Sequence, residues 1–194
     1  MKDKVSRKQL ILESLAHELE KSPGSRITTA GLAKAVGVSE AALYRHFASK
    51  AKMFEALIEF AEESVFSRVN RIIDEVKDTR QRAAQIFYLM LMFADKNPGI
   101  TRVLLGDALV GENERLQIRV DQFFSRLESQ FKQIFREADM REGLKLSIPV
   151  DSACAMIVAL LEGRMHQYQR TQFKRSAVQQ WQEHWELIEK SLFA

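Results

Sequence analysis

Between residues 50 and 76 the apolar side chains Met53, Phe54, Leu57, Ile58, Ala61, Val65, Val69, Ile72 and Ile73 return every three or four positions, with neither proline nor glycine among them. A helical period sustained this long does not fit a strand; it demands a helix with one buried stripe. The rest of the chain repeats the pattern. Only three prolines and eight glycines interrupt 194 residues, and these are the residues that break helices. There is no strand-like alternation, internal repeat or low-complexity tract. The sequence therefore predicts an all-α fold, long enough to bury a substantial core.

Breaks in the periodicity divide the chain. Residues 4–21 are predicted as a first helix with Leu10, Ile11, Leu15 and Leu19 on one face, ended by the Ser-Pro-Gly-Ser tract at 22–25. A short second helix is capped by Thr28 or Thr29 and runs through Leu32, Ala33 and Val36, with Gly37 as the left-handed residue at its end. Ser39 caps a third helix, EAALYRHF, after a break of only Gly37, Val38 and Ser39. Two short helices joined by so tight a turn form a helix-turn-helix. Ser49 then caps the long helix over 50–76.

Asp78 or Thr79 opens a strongly apolar helix, expected to be central and buried, that ends near residues 97–99. A short helix over 98–110 and a long amphipathic one over 112–141 follow, the latter carrying Leu116, Val120, Phe123, Phe124, Leu127, Phe131, Ile134 and Phe135. After a loop at 143–149, helices over 150–173 and 177–192 close the pattern. The expected division is a helix-turn-helix DNA-binding domain over 1–50 and a helical dimerisation and partner-binding domain over 51–194. In the last helix pair, Ala153, Ala155, Ala159 and Gly163 permit close helix approach, and Trp181, Trp185, Ile188 and Leu192 share a face. Those positions are either core or a dimer seam. A homodimer formed chiefly by this pair is expected, because one recognition helix reads too few bases alone.

Charge is distributed unevenly. Residues 1–50 hold nine basic side chains (Lys2, Lys4, Arg7, Lys8, Lys21, Arg26, Lys34, Arg45, Lys50) against five acidic ones, a net +4, whereas the whole chain nets +3. Positive charge gathered in one small module is the footprint of phosphate neutralisation. Arg7 and Lys8 form either a basic arm or a solvated helix face. His17, His46, His166 and His184 lack metal-ligand spacing, and no phosphate loop or nucleophile elbow is present. No enzyme activity, cofactor or metal is expected. The lone Cys154 lies in ACAMIVALL and reads as a buried structural thiol. No stretch approaches the roughly 20 apolar residues of a membrane span, and the first residues lack a secretory pattern. A cytoplasmic protein without membrane contact is expected.

The segment ITTAGLAKAVGVSEAALYRHFASKAKMFEALI, residues 27–58, resembles the TetR family of bacterial transcriptional regulators throughout. Leu32, Ala33, Gly37, Val38, Ser39, Leu43, Tyr44, His46, Phe47 and Lys50 stand at the positions of that family's pattern. The resemblance implies a TetR-like fold, double-stranded DNA as partner, and phosphate contacts from Tyr44 and His46. Ser39, Glu40, Ala41 and Ala42 form the first turn of the third helix, the end that meets base edges in the major groove. Alanine there permits close approach to a thymine methyl. Thr28, Thr29 and Lys50 sit at helix starts, where side chains and free N–H groups bind phosphate. Arg45, between Tyr44 and His46, completes the expected DNA-binding set. For Thr28 and Ser39, capping is the alternative role, compatible with the first.

Outside that module, LIEFAEESVFSRVNRIIDEVKDT, ADKNPGITRVLLGDAL, ENERLQIRVDQFF and FREADMREG are similar to one branch of the family. Its members bind chromosomal sites and, while on DNA, antagonise the tubulin-like division protein FtsZ. Met92 and Lys96 depart from the branch pattern, which has a small residue and an arginine there. The resemblance implies an FtsZ-binding surface clear of the DNA face, at Phe60, Arg68, Leu89, Lys96 and Asn97, with Arg68 and Lys96 suited to an acidic peptide tail. The residues themselves leave open that Phe60 and Leu89 are core and the two cations merely solvated. A second function class is a ligand-responsive repressor of the same family, in which Phe87, Met90, Met92, Phe93 and Met156 line a small-molecule pocket; the same residues also make an ordinary core.

Overall fold

The computed structural model describes residues 6–22 and 24–193. Lys2, Lys4 and the predicted helix start at residue 4 lie outside the described residues. Among these, the regular structure is helical apart from one isolated antiparallel bridge between Leu146 and Phe193. The order is α1 (Arg7–Lys21), α2 (Thr29–Val36), α3 (Glu40–His46), α4 (Lys50–Glu75), α5 (Thr79–Lys96), α6 (Pro98–Leu104), a 3-10 turn (Asp107–Leu109), α7 (Glu114–Glu142), α8 (Val150–Arg170) and α9 (Trp181–Leu192). Compactness divides these residues elsewhere than at 50. One unit runs to Glu62 and takes in Asn97–Val120; the other comprises Glu63–Lys96 and the residues from Asp121 on. The boundaries at 62 and 120 fall inside α4 and α7, so neither of these helices belongs to one unit alone.

In the first unit α1 starts where Ser6 Oγ accepts the Gln9 N–H at 3.1 Å. Ile11, Leu15 and Leu19 are buried along it, but Leu10, expected on that face, is 38% exposed. Helix α6 lies against α1 so closely that a Cβ on Gly99 would stand 1.9 Å from the Ala16 carbonyl oxygen. Only glycine fits there. Arg102, 1% exposed, donates from Nη1 to the carbonyls of Leu19 at 2.7 Å and Ser22 at 2.8 Å, from Nη2 to that of Ser25 at 3.3 Å, and from Nε to Asp107 at 2.6 Å. A cation on the last carbonyls of α1 satisfies groups the helix cannot pair itself and complements its dipole. The helix predicted over 98–110 stops at Leu104 because Gly106 turns left-handed (φ +78) and brings Asp107 to Arg102.

In the second unit α5 is the central helix expected from its apolarity, with Ala83, Ile86, Phe87, Met90, Leu91, Phe93 and Ala94 buried. Trp185 is 5% exposed, and Phe87 stacks on Trp181 with ring centroids 5.0 Å apart. Of the two readings left open for this face, Trp185 is core, and the half-buried Trp181 packs on Phe87 of α5. The apolar side chains left outward on the last two helices are Met156 and Leu160 of α8, 40% and 42% exposed, and Leu187 of α9, 68% exposed. Residues 171–180, expected to be partly helical, are irregular, with Gln172, Phe173 and Gln180 all at positive φ. Tertiary bonds override their helical tendency: Asp95 Oδ1 accepts from Ser176 Oγ at 2.6 Å and from the Ala177 N–H at 2.9 Å, and Arg164 donates to the Ala177 carbonyl at 2.7 Å. Cys154 is buried, and that burial pushes its thiol up to about 12. It stays protonated at neutral pH and is a packing group rather than a nucleophile.

Candidate nucleic-acid interface

The helix-turn-helix is built by local capping. Thr28 Oγ1 accepts the Gly31 N–H at 3.1 Å, opening α2, and Gly37 (φ +75) closes it. Ser39 Oγ accepts the Ala42 N–H at 3.2 Å, opening α3. Each cap satisfies a donor that the first helical turn leaves without a partner. Leu32, Ala33, Leu43 and Phe47 are buried and hold the two helices on α1, while Val36 and Val38 are half-buried. This leaves Ser39, Glu40, Ala41, Tyr44, Arg45 and His46 exposed on α3 and its cap, with Ala42 half-buried. Thr28 is exposed and Thr29 half-buried at the start of α2. A short helix with small side chains in its first turn and polar-tipped ones in its last can approach base edges while its end reaches phosphate. Arg7 and Lys8 are both inside α1, with the Lys8 ammonium 5.3 Å from the centre of the Phe47 ring. They form a helix face, not an arm.

Lys50 differs from the other candidates. Its ammonium lies 2.5 Å from Glu112 Oε1, its side chain is 17% exposed and that of Glu112 8%. Arg26, at 68% exposure, reaches the same carboxylate oxygen at 3.4 Å and donates to the Gly111 carbonyl at 3.2 Å. The sequence reading missed Glu112 and Arg26. No local pattern announces a pair 62 positions apart; the one signal was an acidic residue following a glycine in VGENER.

The five residues expected at the partner surface fall in both units. Phe60, 47% exposed, and the half-buried Asn97 line an apolar groove of about 360 Å³ in the first unit, together with Leu12, Ala16, Leu57 and Ile100. Phe60 is therefore not a core residue. In the second unit Arg68 is exposed and donates to the Ser64 carbonyl at 2.6 Å, Leu89 is half-buried, and Lys96 is exposed as the last residue of α5. Of the residues named for a small-molecule pocket, Phe87 lines a cavity of about 490 Å³ in that unit, with Leu160, Arg164 and Trp181. Met90 and Phe93 are core, and Met156 is on the surface. Among the described residues no group of three or more His, Cys, Asp or Glu is arranged to hold a metal, and no helix is long and apolar enough to cross a membrane.

Residues 11–57 match the family model "Bacterial regulatory proteins, tetR family", and residues 77–193 match "Tetracyclin repressor-like, C-terminal domain", a SlmA-like model. The chain is 52% identical over 191 residues to the nucleoid occlusion factor SlmA of Shewanella amazonensis, covering 98% of this chain and 97% of that one. It is 53% identical over 189 residues to the protein of the same name from Shewanella pealeana, covering 97% and 96%. Among solved structures, the MbdR regulator of Azoarcus sp. CIB superposes with a TM-score of 0.82 at 13% identity, covering 97% of this chain and all of that one. The last is a likeness of fold.

Proposed function

Because the chain belongs to the TetR family of bacterial regulatory proteins, we propose that it is a nucleoid occlusion factor that occupies chromosomal DNA as a homodimer and there restrains FtsZ. The observation that carries this reading is the extent of the identity. It runs over 98% of the chain, through the second domain as well as the helix-turn-helix, at 52%. In this family the second domain normally diverges with the signal it answers to, so likeness there speaks for a shared task.

Each copy offers the first turn of α3, Ser39 to Ala42, to base edges, while Thr28, Thr29, Tyr44, Arg45, His46 and Lys50 serve the phosphates on either side. Two copies related by a two-fold axis present two such helices to a palindromic site. The outward apolar side chains of α8 and α9, Met156, Leu160 and Leu187, are the surface for that pairing. In the first unit the groove beside Phe60 and Asn97 suits one apolar anchor of an FtsZ segment; in the second unit the exposed Arg68 and Lys96 each suit an acidic group through charge-assisted bonds.

The test is co-sedimentation of FtsZ polymers with the full chain, with and without chromosomal DNA fragments. The expected result is DNA-dependent capture of FtsZ that Arg68→Asp abolishes while dimerisation and DNA affinity stay unchanged. Absence of capture by the parent protein with DNA present would favour the ligand-responsive repressor, for which the cavity beside Phe87 is the specific observation.

A further inference from the structure

We infer that Glu112 is an internal counter-ion standing where a DNA phosphate would otherwise stand, and that it sets how tightly the helix-turn-helix grips DNA. This rests on the nucleic-acid reading above. The carboxylate of Glu112 meets two cations at once, Lys50 at 2.5 Å and Arg26 at 3.4 Å. Those cations flank the helix-turn-helix in sequence, Arg26 two residues before the Thr28 cap and Lys50 at the start of α4. The backbone that carries the carboxylate is held in a turn. Glu112 follows Gly111, whose φ is +75, and its N–H donates to the Leu109 carbonyl at 2.9 Å.

Burial gives the direction of the effect. The Glu112 side chain is 8% exposed and that of Lys50 17%, whereas Arg26 is 68% exposed and can reach a phosphate without a change of setting. If Lys50 turns to a phosphate, it leaves a carboxylate that is nearly buried and has lost its closest partner, a costly state. Glu112 therefore opposes the transfer. It lowers affinity for every DNA sequence alike, since phosphate contacts carry no sequence information. A protein that must find a limited set of chromosomal sites gains discrimination when its indiscriminate electrostatic grip is restrained.

Glu112→Gln keeps the shape and removes the charge, freeing Lys50. The measurement is fluorescence anisotropy of a labelled random-sequence 30-base-pair duplex titrated with the full-length parent, Glu112→Gln, Glu112→Asp and the Glu112→Gln/Lys50→Ala double variant across a KCl series. Glu112→Gln should bind about three-fold or more tighter than the parent, with a salt slope steeper by about 0.9 for each additional phosphate neutralised per subunit. Glu112→Asp, which keeps the charge but draws it back from Lys50, should fall between the two. The double variant should lose this steepening, with a slope no steeper than the parent's. If Glu112→Gln and Glu112→Asp bind no tighter than the parent with an unchanged slope, Glu112 merely positions Lys50 and the inference is overturned. A parent that binds no duplex at any salt overturns the nucleic-acid reading itself.

Discussion

Arg102 in the first unit and Arg82 in the second are both almost wholly buried, 1% and 2% exposed, and both direct their guanidinium at backbone carbonyls near the end of a helix. Arg102 donates to three carbonyls around the end of α1 and to the carboxylate of Asp107. Arg82 donates to the carbonyls of Ile73 at 2.8 Å and Val76, and its Nη1 has no hydrogen-bond partner. The difference reflects what surrounds each. In the first unit the end of α1, the segment after it and the turn after α6 lie close together, so one cation meets several acceptors at once. The second has a broad aromatic and aliphatic core around α5, with Phe87, Trp181 and Trp185 in mutual contact, and tolerates an imperfectly matched cation at its margin.

Replacing each arginine by alanine sharpens that contrast. Arg102→Ala strands Asp107 and three helix-end carbonyls and is expected to cost about 3–5 kcal/mol, abolishing DNA binding through loss of the fold. Arg82→Ala should cost less, about 2 kcal/mol, because fewer acceptors lose a charged donor. Urea unfolding of both variants is the check, and equal losses would break the comparison.

The next largest effect separates core from seam in the second unit. Trp185→Ala removes a buried ring and should destabilise by about 3 kcal/mol while leaving a dimer. Leu187→Glu should barely change the stability of the chain but shift light scattering toward monomer. The reverse pattern would return the tryptophans to the seam.

The smallest expected effect concerns Glu142, which accepts from the Thr79 N–H at 3.0 Å and Thr79 Oγ1 at 2.6 Å at the start of α5. Burial by itself would raise this carboxyl, but the Thr79 bonds and the nearby Arg141 and Arg82 hold it below the usual carboxylate value. Its folded value thus lies below its unfolded one. The stabilisation is complete above the unfolded value and lost as pH falls through the folded one. Glu142→Gln should lower stability slightly at neutral pH, and the gap to the parent should narrow as pH falls below the usual carboxylate range; a gap that widens on acidification would contradict the assignment.

Features that depend on a few neighbouring residues were legible in the chain itself. The caps at Thr28, Ser39 and Ser49, the left-handed Gly37 and the buried stripe of α4 as far as Val69 follow from spacing within a turn or two, and the structure bears them out. The exposed face of α3 follows as well, because the apolar residues that hold the helix down fix which side chains point away. Where the reading failed, the deciding partner was remote. Helix α6 ends early through Arg102 and Asp107, and α9 begins late through Asp95.

The local code therefore determined that this is a helical protein with a capped helix-turn-helix at its amino-terminal side, since helix period, capping chemistry and glycine conformation act within a few residues. Only the tertiary structure decided that Lys50 lies on Glu112, that Phe60 opens onto a groove and that Trp185 of α9 is core. Charge pairing, groove shape and burial depend on which helices meet, and that is fixed by the packing of the whole fold rather than by any single stretch of sequence.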